Sequence, residues 1–188
     1  MKVNLEKRVF VGFPVSRQIA RTIPLLQSTI PDKKGIIRWL SGKNIHLTLS
    51  FLGNVAAARI PELIECLKKA VKVKYFNITI EGTGVYPSPF YPRILWLGVN
   101  EGSDELITLH IEVEKRVKKF KDNPKKVKFT PHITIARVRG LKRKIDFIPF
   151  MNTVYSPIEF DVNSIYLYES QLLPEGAQYT ILAEFPLN

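Results

Sequence analysis

The sequence predicts an α+β fold of two related lobes with antiparallel sheets, and three observations lead there. Period-two apolar runs alternate with amphipathic helical runs, and the helix–strand order of one half resembles that of the other. In addition, His46-Leu47-Thr48-Leu49 recurs 86 residues later (132 − 46) as His132-Ile133-Thr134-Ile135. Side chains at i and i+2 of a strand share a face, so each motif presents one imidazole and one hydroxyl. Leu47 and Leu49, or Ile133 and Ile135, anchor the opposite face in a core. That anchoring fixes the register, because a slip of one residue would bury the histidines.

Taken in order, Val9 to Phe13 reads as a strand. A helix capped at Ser16 follows through Ile19, Ala20 and Ile23, and Pro24 should kink or end it. A strand from His46 to Leu52 leads through Gly53-Asn54 to a second helix. Pro61 sits in its first turn, with Leu63, Ile64, Leu67, Ala70 and Val71 on one face. Tyr75 to Ile80 forms the next strand and Val85 to Pro92 a Pro-rich loop. Ile94 to Val99 is apolar enough to be a largely buried strand. Ser103 caps another long helix, with Asp104 and Glu105 at its positive end and Leu106, Leu109, Val113 and Val117 facing inward. After the strand from His132 to Val138 come a basic connection and two more strands, Phe160 to Tyr168 and Gln178 to Phe185. A turn containing Pro174 and Gly176 joins them.

A chain of 188 residues can bury roughly 70% of its unfolded surface, so no disulfide or metal staple is needed. The single cysteine, Cys66, has no internal partner; in an apolar helical pattern it reads as a small buried hydrophobe, which fits a reducing cytosol. No secretory leader and no apolar run of about 18 residues is evident, so the expectation is a cytoplasmic protein without a membrane. The net charge is +11, and between Lys115 and Lys144 thirteen Lys or Arg face one acid, Asp122. Such a surface attracts polyanions and favours a nucleic-acid partner. The same lysines also complement a helix C-terminus, so charge alone does not decide.

An isolated strand histidine beside an apolar residue is ordinarily a packing or surface group. Two of three histidines in matching frames point instead to one shared site. His110 has no such frame and reads as packing or surface. Two imidazoles and two hydroxyls around a small volume suit acid and base work on a phosphate. They make a poor metal cage, with no carboxylate in either motif and with Arg137 and Arg139 close enough to repel a cation. No nucleophile elbow and no glycine-rich phosphate loop is present. An aromatic such as Phe13, Tyr86 or Tyr91 could stack a base, although core or loop packing explains each as simply.

The segments His46-Leu47-Thr48-Leu49-Ser50-Phe51-Leu52-Gly53 and Pro131-His132-Ile133-Thr134-Ile135-Ala136-Arg137 resemble the paired motifs of the 2H phosphoesterase superfamily. The branch they resemble is that of RNA 2′,3′-cyclic phosphodiesterases, also called 2′-5′ RNA ligases. Arg8 to Phe13, Pro92 to Val99, Tyr166 to Ser170 and Gly176 to Tyr179 extend the resemblance over nearly the whole chain. Ile135, where the family more often has Leu, and Ser50, at a variable position, are mild departures.

The resemblance implies one domain, 1–188, of two pseudo-symmetric lobes. Each would hold a four-stranded antiparallel sheet with flanking helices, around a central cleft. It implies hydrolysis of RNA 2′,3′-cyclic phosphate ends to 2′-phosphates, without metal or other cofactor, by a monomer acting on RNA or nucleotides, tRNA fragments among them. By the same analogy His46 is the proton donor and His132 the proton acceptor, Thr48 and Thr134 donate to phosphoryl oxygens, and Arg137 binds the phosphate. Residue order alone leaves the acid and base interchangeable. Parity also sets a condition on Arg137: counting by twos from His132 points it away from the cleft unless the strand ends, twists or bulges. Two further readings are a 2′-5′ RNA ligase, running the same acid and base backward, and a non-catalytic RNA-binding module.

Overall fold

The computed structural model describes residues 5–30, 35–69, 73–121, 128–139, 145–174 and 176–188. Its elements are β1 (Glu6–Pro14), α1 (Ser16–Ile19), α2 (Ile23–Ser28), β2 (Ile37–Trp39), β3 (His46–Ala56), α3 (Ile60–Lys68), β4 (Phe76–Tyr86), β5 (Ile94–Val99), α4 (Ser103–Val117), β6 (His132–Val138), α5 (Ile148–Met151), β7 (Ile158–Val162), β8 (Ser164–Leu173) and β9 (Gly176–Pro186). The class is α+β, as the alternating pattern predicts.

The nine strands form one antiparallel sheet rather than two separate ones. Its order is β7-β4-β5-β6-β3-β1-β8-β9, with β2 added alongside β6. Four strands lie on each side of the β6–β3 junction, and that junction consists of a single pair, Leu47 opposite Ile133. The two His-x-Thr strands therefore meet at their central apolar residues. The half that contains β3 draws on both ends of the chain, since β1 pairs with β3 on one edge and with β8 on the other.

The core lies behind these strands. Leu47, Leu49, Ile133 and Ile135 are buried with Leu95, Leu97, Leu106, Leu109, Val113 and Val117, which is the inward stripe expected of α4 and of the buried β5. The acids Asp104 and Glu105 occupy the first turn of α4 and Lys115 and Arg116 the last, complementing its dipole.

Several boundaries differ from the sequence expectation. Pro24 does not end a helix from Ser16; it occupies the first turn of α2, where its missing N–H costs nothing. Gly102, in a left-handed conformation, is the residue that caps α4, and Ser103 is its first helical residue. The run from Phe160 to Tyr168 is two strands broken at Asn163: β7 pairs with β4 and β8 with β1, on opposite sides of the sheet. Ala70 and Val71 lie outside the described residues, and α3 buries Ile60, Leu63 and Leu67. Cys66 is half-buried and packs against the core. No helix among the described residues is long and apolar enough to cross a membrane.

Gly12 shows how closely β1 is laid on the first His-x-Thr strand. It pairs with Thr48 beside a register shift, and a Cβ there would collide with the carbonyl oxygen of Leu47. Backbone cannot step aside as a flexible side chain can, so Gly12→Ala is expected to destabilise the protein by roughly 1–3 kcal/mol or more. A chemical denaturation curve checks it, and an unchanged midpoint would show that β1 and β3 have room to part.

Candidate active site

His46, Thr48, His132 and Thr134 line one cleft of about 450 Å³, together with Arg137. The geometry follows from parity and from the β3–β6 junction. Pairing Leu47 with Ile133 turns both apolar residues into the core and both polar pairs to the other side. The antiparallel sense then sets His46 toward Thr134 and Thr48 toward His132, since 46 + 134 and 48 + 132 both equal 47 + 133.

Each imidazole is oriented in the same way. His46 Nδ1 lies 2.8 Å from the carbonyl oxygen of Asn44, and His132 Nδ1 lies 2.8 Å from that of Thr130. A carbonyl only accepts, so Nδ1 carries the hydrogen in both rings and Nε2 is left for chemistry. Asn44 has a second task, because its side-chain amide donates to the Ala177 carbonyl at 2.8 Å and ties β9 to the loop before His46. Sequence reasoning missed Asn44 and Thr130; their shared position two residues before each histidine is the signal that could have found them.

The rings differ in surroundings. His46 sits among aromatics, its ring centre 4.8 Å from that of Phe10 and 4.9 Å from that of Tyr179, to which it stands nearly perpendicular. Burial pushes its pKa below the ordinary histidine value; the hydrogen bond to Asn44 opposes this, and the positive charges of Arg137 and His132 add to the lowering. His132 is exposed. Burial raises the Tyr179 phenol while Arg137 and Arg8 pull against it, so this hydroxyl stays protonated and able to donate near neutral pH.

The condition on Arg137 is met by a bulge. In the β5–β6 ladder Leu95 pairs with Ala136 and Trp96 with Thr134, leaving Ile135 as an extra residue. Ile135 and Ala136 are consequently both buried, the alternation shifts by one, and Arg137 joins Thr134 on the cleft side. The β1–β3 ladder carries the same defect at Leu49, between Gly12 opposite Thr48 and Val11 opposite Ser50. Phe51, 62% exposed, thereby occupies on β3 the place Arg137 holds on β6, 86 residues on (137 − 51), and it too lines the cleft.

Both bulges are pinned through the carbonyl of the extra residue. Ile135 O accepts from the Leu40 N–H at 2.9 Å, and Leu49 O accepts from His110 Nδ1 at 2.7 Å. His110 also stacks on Phe129 at 4.1 Å, next to the Thr130 that orients His132. It is a packing residue, as its sequence context suggests, placed directly beneath the site. Ser50 is buried and donates to Glu114 Oε1 at 2.6 Å, behind the same bulge. Phe13 is in the core, stacked on Phe160, while Tyr86 and Tyr91 are exposed and do not line the cleft. The aromatics that do are Phe10, Phe51 and Tyr179.

A duplicated imidazole–hydroxyl site at the junction of a two-sided antiparallel sheet is the arrangement that defines the 2H phosphoesterase class. The chain belongs to the 2′-5′ RNA ligase superfamily, whose profile matches residues 40–172. A protein of Aquifex aeolicus named RNA 2′,3′-cyclic phosphodiesterase is 36% identical over 186 residues, covering 96% of this chain and 97% of its own length. A Thermotoga maritima protein of the same name is 32% identical over 178 residues, 94% of each chain. Among solved structures, that of E. coli LigT complexed with 3′-AMP superposes with a TM-score of 0.77 at 22% identity, over 97% of this chain and 99% of that one.

Proposed function

We propose that this protein hydrolyses RNA 2′,3′-cyclic phosphate ends to 2′-phosphates by two-histidine acid–base chemistry that needs no metal. The observation that carries the reading is the pair of imidazoles in one cleft, each tied through Nδ1 to a carbonyl and each with Nε2 free. In this reading His132, the more exposed ring, takes a proton through Nε2 as a water oxygen attacks phosphorus. The P–O3′ bond breaks and His46 delivers its proton to O3′, leaving the phosphate on O2′. Thr48 and Thr134 donate to the non-bridging oxygens, and Arg137 clamps them.

Burial disfavours a protonated His46 in the free protein. The anionic phosphate opposes that balance by bringing a negative charge against a ring whose charged neighbours are Arg137 and His132, so the substrate itself favours the protonated acid. The donor set supports metal-free chemistry. Among the described residues no carboxylate lines the cleft, while Arg8, Arg38, Arg137 and Arg139 do, a field that repels a metal cation and attracts a phosphate. The names of the Aquifex and Thermotoga relatives support the substrate. We extend the reading to one domain of two pseudo-symmetric lobes, acting as a cytoplasmic monomer on RNA ends that include tRNA fragments.

Incubation with an oligoribonucleotide ending in a 2′,3′-cyclic phosphate, with chelator present, tests it. The expected product is the 2′-phosphate alone. A 2′-5′ joined product with a 5′-hydroxyl partner would make the protein a ligase. Unchanged but bound RNA would make it a binding module.

A further inference from the structure

The three-residue strand β2 brings a second group of cations to the cleft. Arg38 stands opposite Arg137 in the β2–β6 ladder, and directly opposed residues share a face. Arg139 lies two positions beyond Arg137 and so shares that face as well. Its N–H donates to the Ile36 carbonyl at 2.9 Å, which closes β2 onto β6 there. All three arginines line the cleft. Like charges opposed across a ladder destabilise it, and among the described residues no carboxylate forms an ion pair with any of the three. One cyclic phosphate, a monoanion already met by Arg137 and two threonines, cannot use three guanidinium groups.

The placement of the other two is specific. The Arg38 guanidinium crosses from β2 to the β8–β9 turn, where it lies so close over Gly176 that a Cβ there would strike Nη2. The equivalent strand on the other side of the cleft has no such array, since Phe51 and Gly53 stand where β6 has Arg137 and Arg139 (51 + 86 and 53 + 86). The cleft thus has three guanidinium groups at the β2–β6 end, and facing them the aromatics Phe10 and Phe51 with Arg8 as the one described arginine on that side. A 3′-terminal nucleotide with a cyclic phosphate has one further phosphate available, the diester on its own O5′.

We infer that Arg38 and Arg139 form a second anion subsite that takes the phosphodiester on the 5′ side of the terminal nucleotide. The protein then recognises the end of a polynucleotide in preference to a free nucleoside cyclic phosphate. This rests on the cyclic-phosphate reading above, and it adds a substrate requirement to it. Paired guanidinium forks suit such an oxygen pair, and a lysine ammonium at either position would not reproduce the geometry.

The test compares adenosine 2′,3′-cyclic phosphate, its 5′-phosphorylated form and the dinucleotide ApA ending in a 2′,3′-cyclic phosphate. The wild type should show kcat/KM about tenfold or more higher for the dinucleotide than for the nucleoside, the size expected of a charged hydrogen-bonded contact. The 5′-phosphorylated nucleoside should recover most of that gain. The double variant R38A/R139A should lose the gain, chiefly through KM, so that its loss on the dinucleotide and on the 5′-phosphorylated nucleoside is about tenfold or more greater than its loss on the unphosphorylated nucleoside. R38K/R139K should restore only a minor part. Full restoration by lysine, or an equal loss on all three substrates, would mean a diffuse positive field and overturn the subsite. A gain that requires the second nucleoside and not the 5′-phosphate would overturn it too. Equal rates for all three substrates in the wild type would sink the subsite alone; hydrolysis of none would sink the cyclic-phosphate reading and the subsite with it.

Discussion

Alanine at either His46 or His132 is expected to lower kcat by about a hundredfold or more, the range over which a positioned acid or base acts. Neither change should unfold the protein, because the strand register is held by Leu47, Leu49, Ile133 and Ile135 on the opposite face. Near-normal turnover by either variant would remove that ring from the mechanism. The pH profiles add a sharper criterion, because kcat/KM reports the free protein and kcat the bound complex. Burial holds His46 below 6.5 in the free protein. As the acid, His46 must be protonated, so activity falls as pH rises through its pKa. The limb that His46 governs in kcat/KM should therefore lie below the ordinary histidine range, and its counterpart in kcat should lie higher, because the bound phosphate raises the same pKa. A limb that does not rise between kcat/KM and kcat would show that the bound phosphate does not charge His46.

The second large effect is expected at Arg137. Removing a charge-assisted contact to a phosphate costs on the order of 1.5–3 kcal/mol, so Arg137→Ala should reduce kcat/KM by roughly ten- to a hundredfold. Arg137→Lys should recover little, since an ammonium cannot match two phosphoryl oxygens in a plane. The side chain is exposed, so the melting temperature should not move. Steady-state kinetics with thermal melts separates this from a folding defect. Full activity in the lysine variant would show that charge without geometry suffices.

The faces of the candidate site were legible because two-residue periodicity is a property of one strand. His46, Thr48, His132 and Thr134 could be assigned to a common side before any pairing was known. Pairing decides what parity alone cannot. The bulges at Leu49 and Ile135 exist only where β3 meets β1 and β6 meets β5, and without them Arg137 and Phe51 would face the core. Strand β2, with three residues, is too short to show a period, so Arg38 drew no notice. The break at Asn163 did leave a trace: Val162 is buried at an even position, then Ile165 and Leu167 at odd ones, a slip that an unbroken strand does not make. His110 acts through one hydrogen bond to the distant Leu49 carbonyl, which no residue pattern announces, whereas Asn44 and Thr130 share a place two residues before each histidine but have no residue type in common.

The half-sheet holding His46 is completed from the far end of the chain. Strands β8 and β9 follow the other seven described strands in the sequence, yet β8 flanks β1, and β9 supplies Tyr179 and the carbonyl that anchors Asn44. A nascent chain still inside the ribosome therefore holds both histidines before it has the walls that orient one of them. Synthesis must pass β9 before the enzyme can meet an RNA end, and pairing between strands so distant in sequence is slow in proteins generally.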